Sequence, residues 1–235
     1  MYLCDSGKYP PFAVTVDLVV FTLTDILQVL LLRRTSSPFD GQWALPGGFV
    51  RPEEDIGDAA VRELLEKTGL DSPVGHLEQL GTYGAPDRDP RMRIVSVAHW
   101  AFVPSRSLPV VDASVAQAQF WPVSEALDLD LGFDHHKILT DGLERARAKL
   151  EYSTLATALC PDEFTIPQLV NVYRQVWGTD VHVNNMRRKV LATTGFVTPL
   201  GRKATSSSPG PSAALYQAGG AKLLHPPILR TEHSK

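Results

Sequence analysis

Two apolar runs open the chain, Val14–Thr22 and Leu27–Arg33, separated by a short polar turn at Asp25. Their content of Val, Leu and Phe predicts a pair of buried strands. Asp17 and Asp25 interrupt the combined stretch Val14–Leu32, which suits two strands better than a membrane span. Gln42–Val50 then leads into a helical pattern in which Ala60, Val61, Leu64 and Leu65 form an apolar stripe. Asp55 is its N-cap, the helix ends near Thr68, and Gly69 is the C′ residue. Arg91–Pro104, rich in β-branched and aromatic residues, predicts a long strand behind the charged loop Ala85–Pro90. A short strand at Gln119–Pro122 and a helix from about Asp134 to Leu150 complete an α/β first half.

The second half has a different rhythm. Thr165 caps a helix with Pro167 in its first turn; Leu169, Tyr173 and Val176 form its stripe and Gly178 closes it. After the turn Gly178–His182, a second helix runs from Val183 to about Thr194, ended by Gly195. On a helical wheel Val183, Met186 and Val190 share one face, with Asn184, Asn185, Arg188, Lys189 and Ala192 opposite and Arg187 on the buried flank. Phe196–Pro199 and Ala214–Gln217 then read as two strands of a wing, joined by a loop Leu200–Ser212 that carries Arg202 and Lys203. Two helices joined through a Gly-containing turn make a helix-turn-helix. Asn and Arg on its second helix suit base edges in the major groove, and Arg202 and Lys203 suit phosphates. The bland alternative is a helical bundle with a solvated basic face.

Charge sharpens this division. The formal net charge is −3. Residues 1–150 hold 14 Lys and Arg against 21 Asp and Glu, whereas residues 151–235 hold 9 against 5. An acidic domain over 1–150 and a basic one over 151–235, with a flexible wing and tail, therefore meet different partners, the second nucleic acid. Cys4 and Cys160 are too few and too distant for a disulfide framework or metal site, which implies thiols in a reducing cytosol. Met1–Lys8 has no basic start running into an apolar core, so no secretory signal is expected.

The chemistry concentrates in residues 48–70, GFVRPEEDIGDAAVRELLEKTGL. Gly48, Glu54, Arg62, Glu63, Leu64, Glu66, Gly69 and Leu70 resemble the Nudix box, G-x5-E-x7-R-E-U-x-E-E-x-G-U, in one register. Lys67 stands where the second Glu of the E-E pair belongs. Nudix enzymes cleave nucleoside diphosphate linkages with Mg²⁺ or Mn²⁺ held by carboxylates, which activate water and neutralise phosphate. Residues three and four apart share a helix face, so Glu63, Glu66 and Lys67 converge on one spot. An ammonium cannot ligate Mg²⁺, which wants hard oxygen ligands. Either Lys67 takes the metal's place, or it turns to solvent and a residue elsewhere completes the site. The metal set is accordingly reduced to Glu63 and Glu66, with weak Mg²⁺ binding at most and no cofactor required. A nucleotide pocket is expected near Gly47, Gly48 and Glu63.

WALPGGF, PDRDPR and FDHHKIL resemble one Nudix subgroup, the ADP-ribose pyrophosphatases. With FTIPQLVNVY and NNMRRKVLATTGFV added, the chain from about Pro10 to Gln217 resembles the Nudix-related transcriptional regulators of NAD metabolism. The resemblance implies a Nudix α/β/α sandwich followed by a winged helix-turn-helix, and a catalytically impaired box. It implies a cytoplasmic bacterial repressor of NAD biosynthesis or salvage genes that senses ADP-ribose or a related metabolite. It also implies a homodimer on a palindromic operator, with DNA contacts at Asn185, Arg187, Arg188 and Lys189. Two departures stand out: His182 occupies the position expected to be an acidic N-cap, leaving Asp180 as substitute, and the wing loop is long. The competing function is an active ADP-ribose pyrophosphatase with an accessory C-terminal domain.

Overall fold

The computed structural model describes residues 11–70, 75–105, 118–204 and 213–230. In the first half, strands β1 (Ala13–Leu23), β2 (Leu27–Arg33), β3 (Trp43–Ala44), β4 (Gly47–Phe49), β5 (His76–Tyr83), β6 (Ile94–Phe102) and β7 (Ala118–Pro122) form one mixed sheet. Its path is β3-β2-β1-β6-β5, with β4 on β1 and β7 on β2. Only β1 and β6 run parallel among its named pairings; β4 covers the start of β1 (Thr15–Asp17) while β2 pairs with its end (Phe21–Leu23).

Side chains alternate across β1 with period 2. Val16, Leu18 and Val20 pack with Ala60 and Leu64 of helix α1 (Ile56–Thr68) on one face. Val19, Phe21 and Leu23 join Trp100, Phe102 and the buried side of helix α3 (His135–Tyr152) on the other. A four-residue helix, α2 (Val123–Ala126), precedes α3. Gly142 lets α3 lie close, because a Cβ there would come 3.0 Å from Val19 Cγ2. The α/β/α sandwich is as expected. Asp55 caps α1 by accepting from Gly57 N–H, and Gly69 ends it at φ 69°.

A strand absent from the sequence expectation is β5. Only Leu80 is buried along His76–Tyr83, and the register slips between Gln79 and Gly81. An edge strand of mixed polar residues carries no clean alternation.

The second half is built on helices α4 (Ile166–Trp177) and α5 (Val183–Ala192), preceded by a 3-10 turn at Leu155–Leu159. Thr165 and Gln168 form a full capping box, Pro167 sits in the first turn, and Gly178 closes α4 at φ 66°. Strands β8 (Phe164–Thr165), β9 (Val197–Lys203) and β10 (Ala214–Ala218) make a three-stranded sheet in the order β8-β10-β9. The wing was expected to contain two strands; β8 adds a third, too short to leave a pattern. β9 also runs on to Lys203, so Arg202 and Lys203 end a strand instead of lying in the loop. The Ser206–Ser212 run falls outside the described residues.

The cut at residue 150 falls in the last turn of α3, and no gap in packing marks it. One hydrophobic cluster runs from Phe21 and Trp100 through Leu143, Ala146 and Leu150 to Tyr173, Trp177 and Phe196. Trp177 Nε1–H donates to Arg147 O at 3.1 Å, and Arg147 Nε–H returns a bond to Val176 O at 2.9 Å. The expected loose tail is docked as far as residue 230. Leu224 N–H donates to Tyr152 O, Ile228 N–H donates to Glu151 O, and both side chains are buried. Cys160 is buried, and Cys4 lies outside the described residues. Among the described residues no helix is long and apolar enough to cross a membrane.

Candidate functional site

The box folds around Arg62. Its guanidinium binds both Glu54 oxygens at 2.7 and 2.9 Å, Glu63 Oε1 at 2.6 Å and Phe49 O at 3.2 Å. These hydrogen bonds from Arg62, joined by the Arg51 amide, hold the Glu54 carboxyl down at about 2 against the opposing effect of desolvation. The same contacts raise the Arg62 guanidinium. A Cβ at Gly48 would lie 2.0 Å from Glu63 Oε1, so with Glu63 held by Arg62 as it is, β4 rests on that carboxylate without a side chain. Gly47 is held against backbone, a Cβ there lying 2.4 Å from Val16 O.

Lys67 turns inward. Its Nζ is 3.6 Å from Glu63 Oε2, a buried oxygen without a hydrogen-bond partner among the described residues. Glu66 points outward with 46% of its side chain exposed, 3.7 Å from Arg62 and 3.8 Å from Arg51. Both oxygens of Glu63 therefore face cationic side chains. Among the described residues no group of three or more His, Cys, Asp or Glu is placed to hold a metal ion. A hard dication needs several free oxygens; in this arrangement Arg62 and Lys67 flank Glu63, and Glu66 is exposed.

Glycines 47 and 48 also line a pocket of about 230 Å³, together with Asp17, Arg34, Arg91 and Phe133. A larger hollow, about 720 Å³, lies elsewhere, at the junction of the two halves beside Lys149, Thr154 and Lys222. No box residue lines it, whereas Gly48 lines the smaller pocket and packs on Glu63, so the smaller pocket is the one next to the motif.

Sequence reasoning missed the polar floor of this pocket. Asp17 accepts from Ser96 Oγ–H at 2.6 Å and from Arg88 Nη2–H at 3.1 Å. Arg88 also binds Asp134 at 2.7 and 3.0 Å. Leu45 N–H donates to His135 Nδ1, which leaves Nε2 to carry the ring proton toward Asp17 Oδ1 at 3.5 Å. Burial alone would raise the Asp17 carboxyl; His135, Ser96 and Arg88 outweigh it and bring the carboxyl to about 2. The signal was present in the sequence: a carboxylate inside an apolar strand needs a partner. PDRDPR and FDHHKIL supply Arg88, Asp134 and His135.

Above that floor two guanidiniums share one ring. Arg34 lies 4.7 Å and Arg91 5.6 Å from the centre of Phe133, with Arg91 also 5.7 Å from Phe49. Arg91 is paired with Asp89 at 2.7 Å. Arg34 donates to two carbonyls, Pro38 O and Ser36 O, and forms no ion pair among the described residues.

On α5 the wheel holds in most respects. Met186 and Val190 are buried, and Asn184, Asn185, Arg188 and Lys189 are exposed. Arg187 departs from it: expected on the buried flank, it is exposed, because only two side chains of this helix enter the core. No ion pair engages Arg187, Arg188, Lys189 or Lys203 among the described residues, while Arg202 is tied to Glu163. Asp180 does not cap α5. It pairs with Arg174 at 3.1 Å, and His182 is an N-cap without a side-chain bond.

Two family profiles match this chain: "NUDIX domain" over residues 11–142 and "NrtR DNA-binding winged helix domain" over residues 156–218. An Acinetobacter baylyi protein described as ADPR responsive transcriptional repressor NtrR is 37% identical over 189 residues, covering 79% of this chain and 75% of its own. Shewanella oneidensis NrtR, in a crystal structure with a 27mer DNA, superposes with a TM-score of 0.81 at 31% identity, covering 92% of this chain and 99% of that one. The NUDIX domain of the same protein with ADP ribose gives a TM-score of 0.52 at 35% identity, over 61% and 94% of the two chains. Both halves thus match in one order and along one relative: the chain belongs to the NrtR family, a Nudix domain joined to a winged helix.

Proposed function

We propose that this protein is a DNA-binding transcriptional repressor of NAD biosynthesis or salvage genes, with ADP-ribose or a related metabolite as effector. The observation that carries the reading is the outer face of α5. Five polar side chains, Asn184, Asn185, Arg187, Arg188 and Lys189, stand exposed in a winged helix with no ion pair among the described residues. Residues 151–235 read DNA in this scheme, through Asn185, Arg187, Arg188 and Lys189 at base edges and phosphates. Lys203 meets the backbone, and Arg202 joins it only by leaving Glu163. Residues 1–150 hold the effector near Gly47, Gly48 and Glu63. The related repressor responds to ADPR, and the related structures contain DNA and ADP ribose.

One winged helix meets one half-site, so the working unit is a cytoplasmic homodimer joined through its Nudix halves on a palindromic operator. Its recognition helices are spaced for half-sites ~34 or ~68 Å apart. The test is a gel shift on the NAD-gene promoters of the source genome, with and without ADP-ribose, beside light scattering of the free protein. Specific retention that ADP-ribose alters, by a dimer, is expected. Indifference to every such promoter at low salt sinks the repressor reading, and a monomer with and without DNA sinks the dimer.

The box is catalytically idle in this reading, because Lys67 faces Glu63 where an enzyme holds a cation. ADP-ribose with Mg²⁺ should release no AMP at a rate near ~1 s⁻¹, the lower end of ordinary enzyme turnover. Turnover at that level, lost in E63A, would establish the pyrophosphatase instead.

A further inference from the structure

We infer that the pocket takes its diphosphate ligand without a divalent metal, its positive charge being supplied by Arg34 and Arg91. This rests on the effector reading above and goes beyond it. The same sandwich with an intact box gathers carboxylates so that a dication can bridge them to the phosphates. Here the charge is arranged the other way round. Arg62 and Lys67 already face the two oxygens of Glu63, so the carboxylate that would grip a metal is matched internally. Glu66 reaches toward Arg51 and Arg62 and is the more exposed of the two remaining metal candidates.

The pocket wall then carries what a metal would bring. Arg34 and Arg91 hold two like charges on one aromatic ring, Phe133, and only Arg91 has a carboxylate of its own. The two cations repel each other unless an anion lies between or beside them; burial and the charge of Arg91 work against the Arg34 cation in the free protein, and Asp89 and Asp40 offset this only in part. Guanidinium groups bind phosphate oxygens in pairs with charge-assisted hydrogen bonds. The residues are held ready: Arg34 by the carbonyls of Ser36 and Pro38, Arg91 by both Asp89 oxygens. Glycines 47 and 48 line the same pocket with backbone in place of side chains, Gly48 next to Glu63.

Isothermal titration of the full-length protein with ADP-ribose tests this, in EDTA and again in millimolar Mg²⁺. Equal affinity in the two buffers, within about twofold, is expected. The R34A variant should bind at least ~10-fold more weakly in both, with R34K recovering part of the loss through charge alone. K67E should make binding depend on Mg²⁺, because it removes the internal cation and frees an oxygen set. A thermal melt of each variant separates lost contact from lost fold. If the unaltered protein binds ADP-ribose only when Mg²⁺ is present, or if folded R34A binds as tightly as the parent, the inference is overturned while the effector reading stands. Absence of binding in both buffers overturns both.

Discussion

Replacing Arg188 by Ala is expected to weaken operator binding by about 1–3 kcal/mol, a loss of roughly 5- to 150-fold, and to relax the preference at one base pair. Arg188 sits on the solvent face of α5, two residues beyond buried Met186 and two before buried Val190. The helix is therefore fixed in rotation by its core side, and the guanidinium has no ion-pair partner among the described residues. Lys203→Ala provides the contrast. A point charge at the end of β9 has no base to read, so its loss should weaken all sequences alike and lower the salt slope by about one. Binding curves for each variant on single-base operator variants, at several salt concentrations, separate the two. Equal losses on all sequences for R188A would remove it from base readout.

Asp17→Ala should destabilise the fold by about 3 kcal/mol, the lower end for breaking a buried ion pair. Arg88 is only 3% exposed along its side chain, and Asp134 alone would be left to answer its charge. Against a total of roughly 5–15 kcal/mol for a domain, that is a large fraction. Acid should expose the same network. The Asp17 carboxyl lies at about 2 in the folded protein, below its ordinary value of 3.8. A depressed carboxyl contributes stability that is complete above 3.8 and disappears as pH falls toward 2. The contribution is about 2 kcal/mol. Urea melts of the parent and of D17A between neutral and acid pH should converge over that window. Parallel curves throughout would mean that Asp17 is not the group being titrated.

Much of this was legible in the sequence because local signals agreed. The apolar alternation of β1 and the caps at Asp55, Thr165, Gly69 and Gly178 placed the main helices and strands within a few residues. What escaped depended on partners distant in sequence. β5 and β8 are strands only because β6 and β10 offer them an edge. The Asp17 network joins residues 71, 79 and 118 positions away through side chains that look like loop polarity until the chain is folded. Spacing put Lys67 at the box but could not decide between solvent and Glu63. The packing of Gly48 on Glu63 fixes that carboxylate and gives the ammonium something to face. Arg187 and Asp180 went astray for related reasons: α5 buries little, and Arg174 claims the aspartate.

The unbroken apolar cluster that links the sheet to α4 and α5 has a thermodynamic consequence. Where two modules share a core, neither can melt without stripping apolar surface from the other, so they unfold together instead of in turn. Whatever binds the folded state at one end then adds its free energy to the whole unit, by mass action. A small molecule seated beside Gly48 would raise the melting temperature of helices it never touches, and DNA along α5 would in turn protect the sheet from heat.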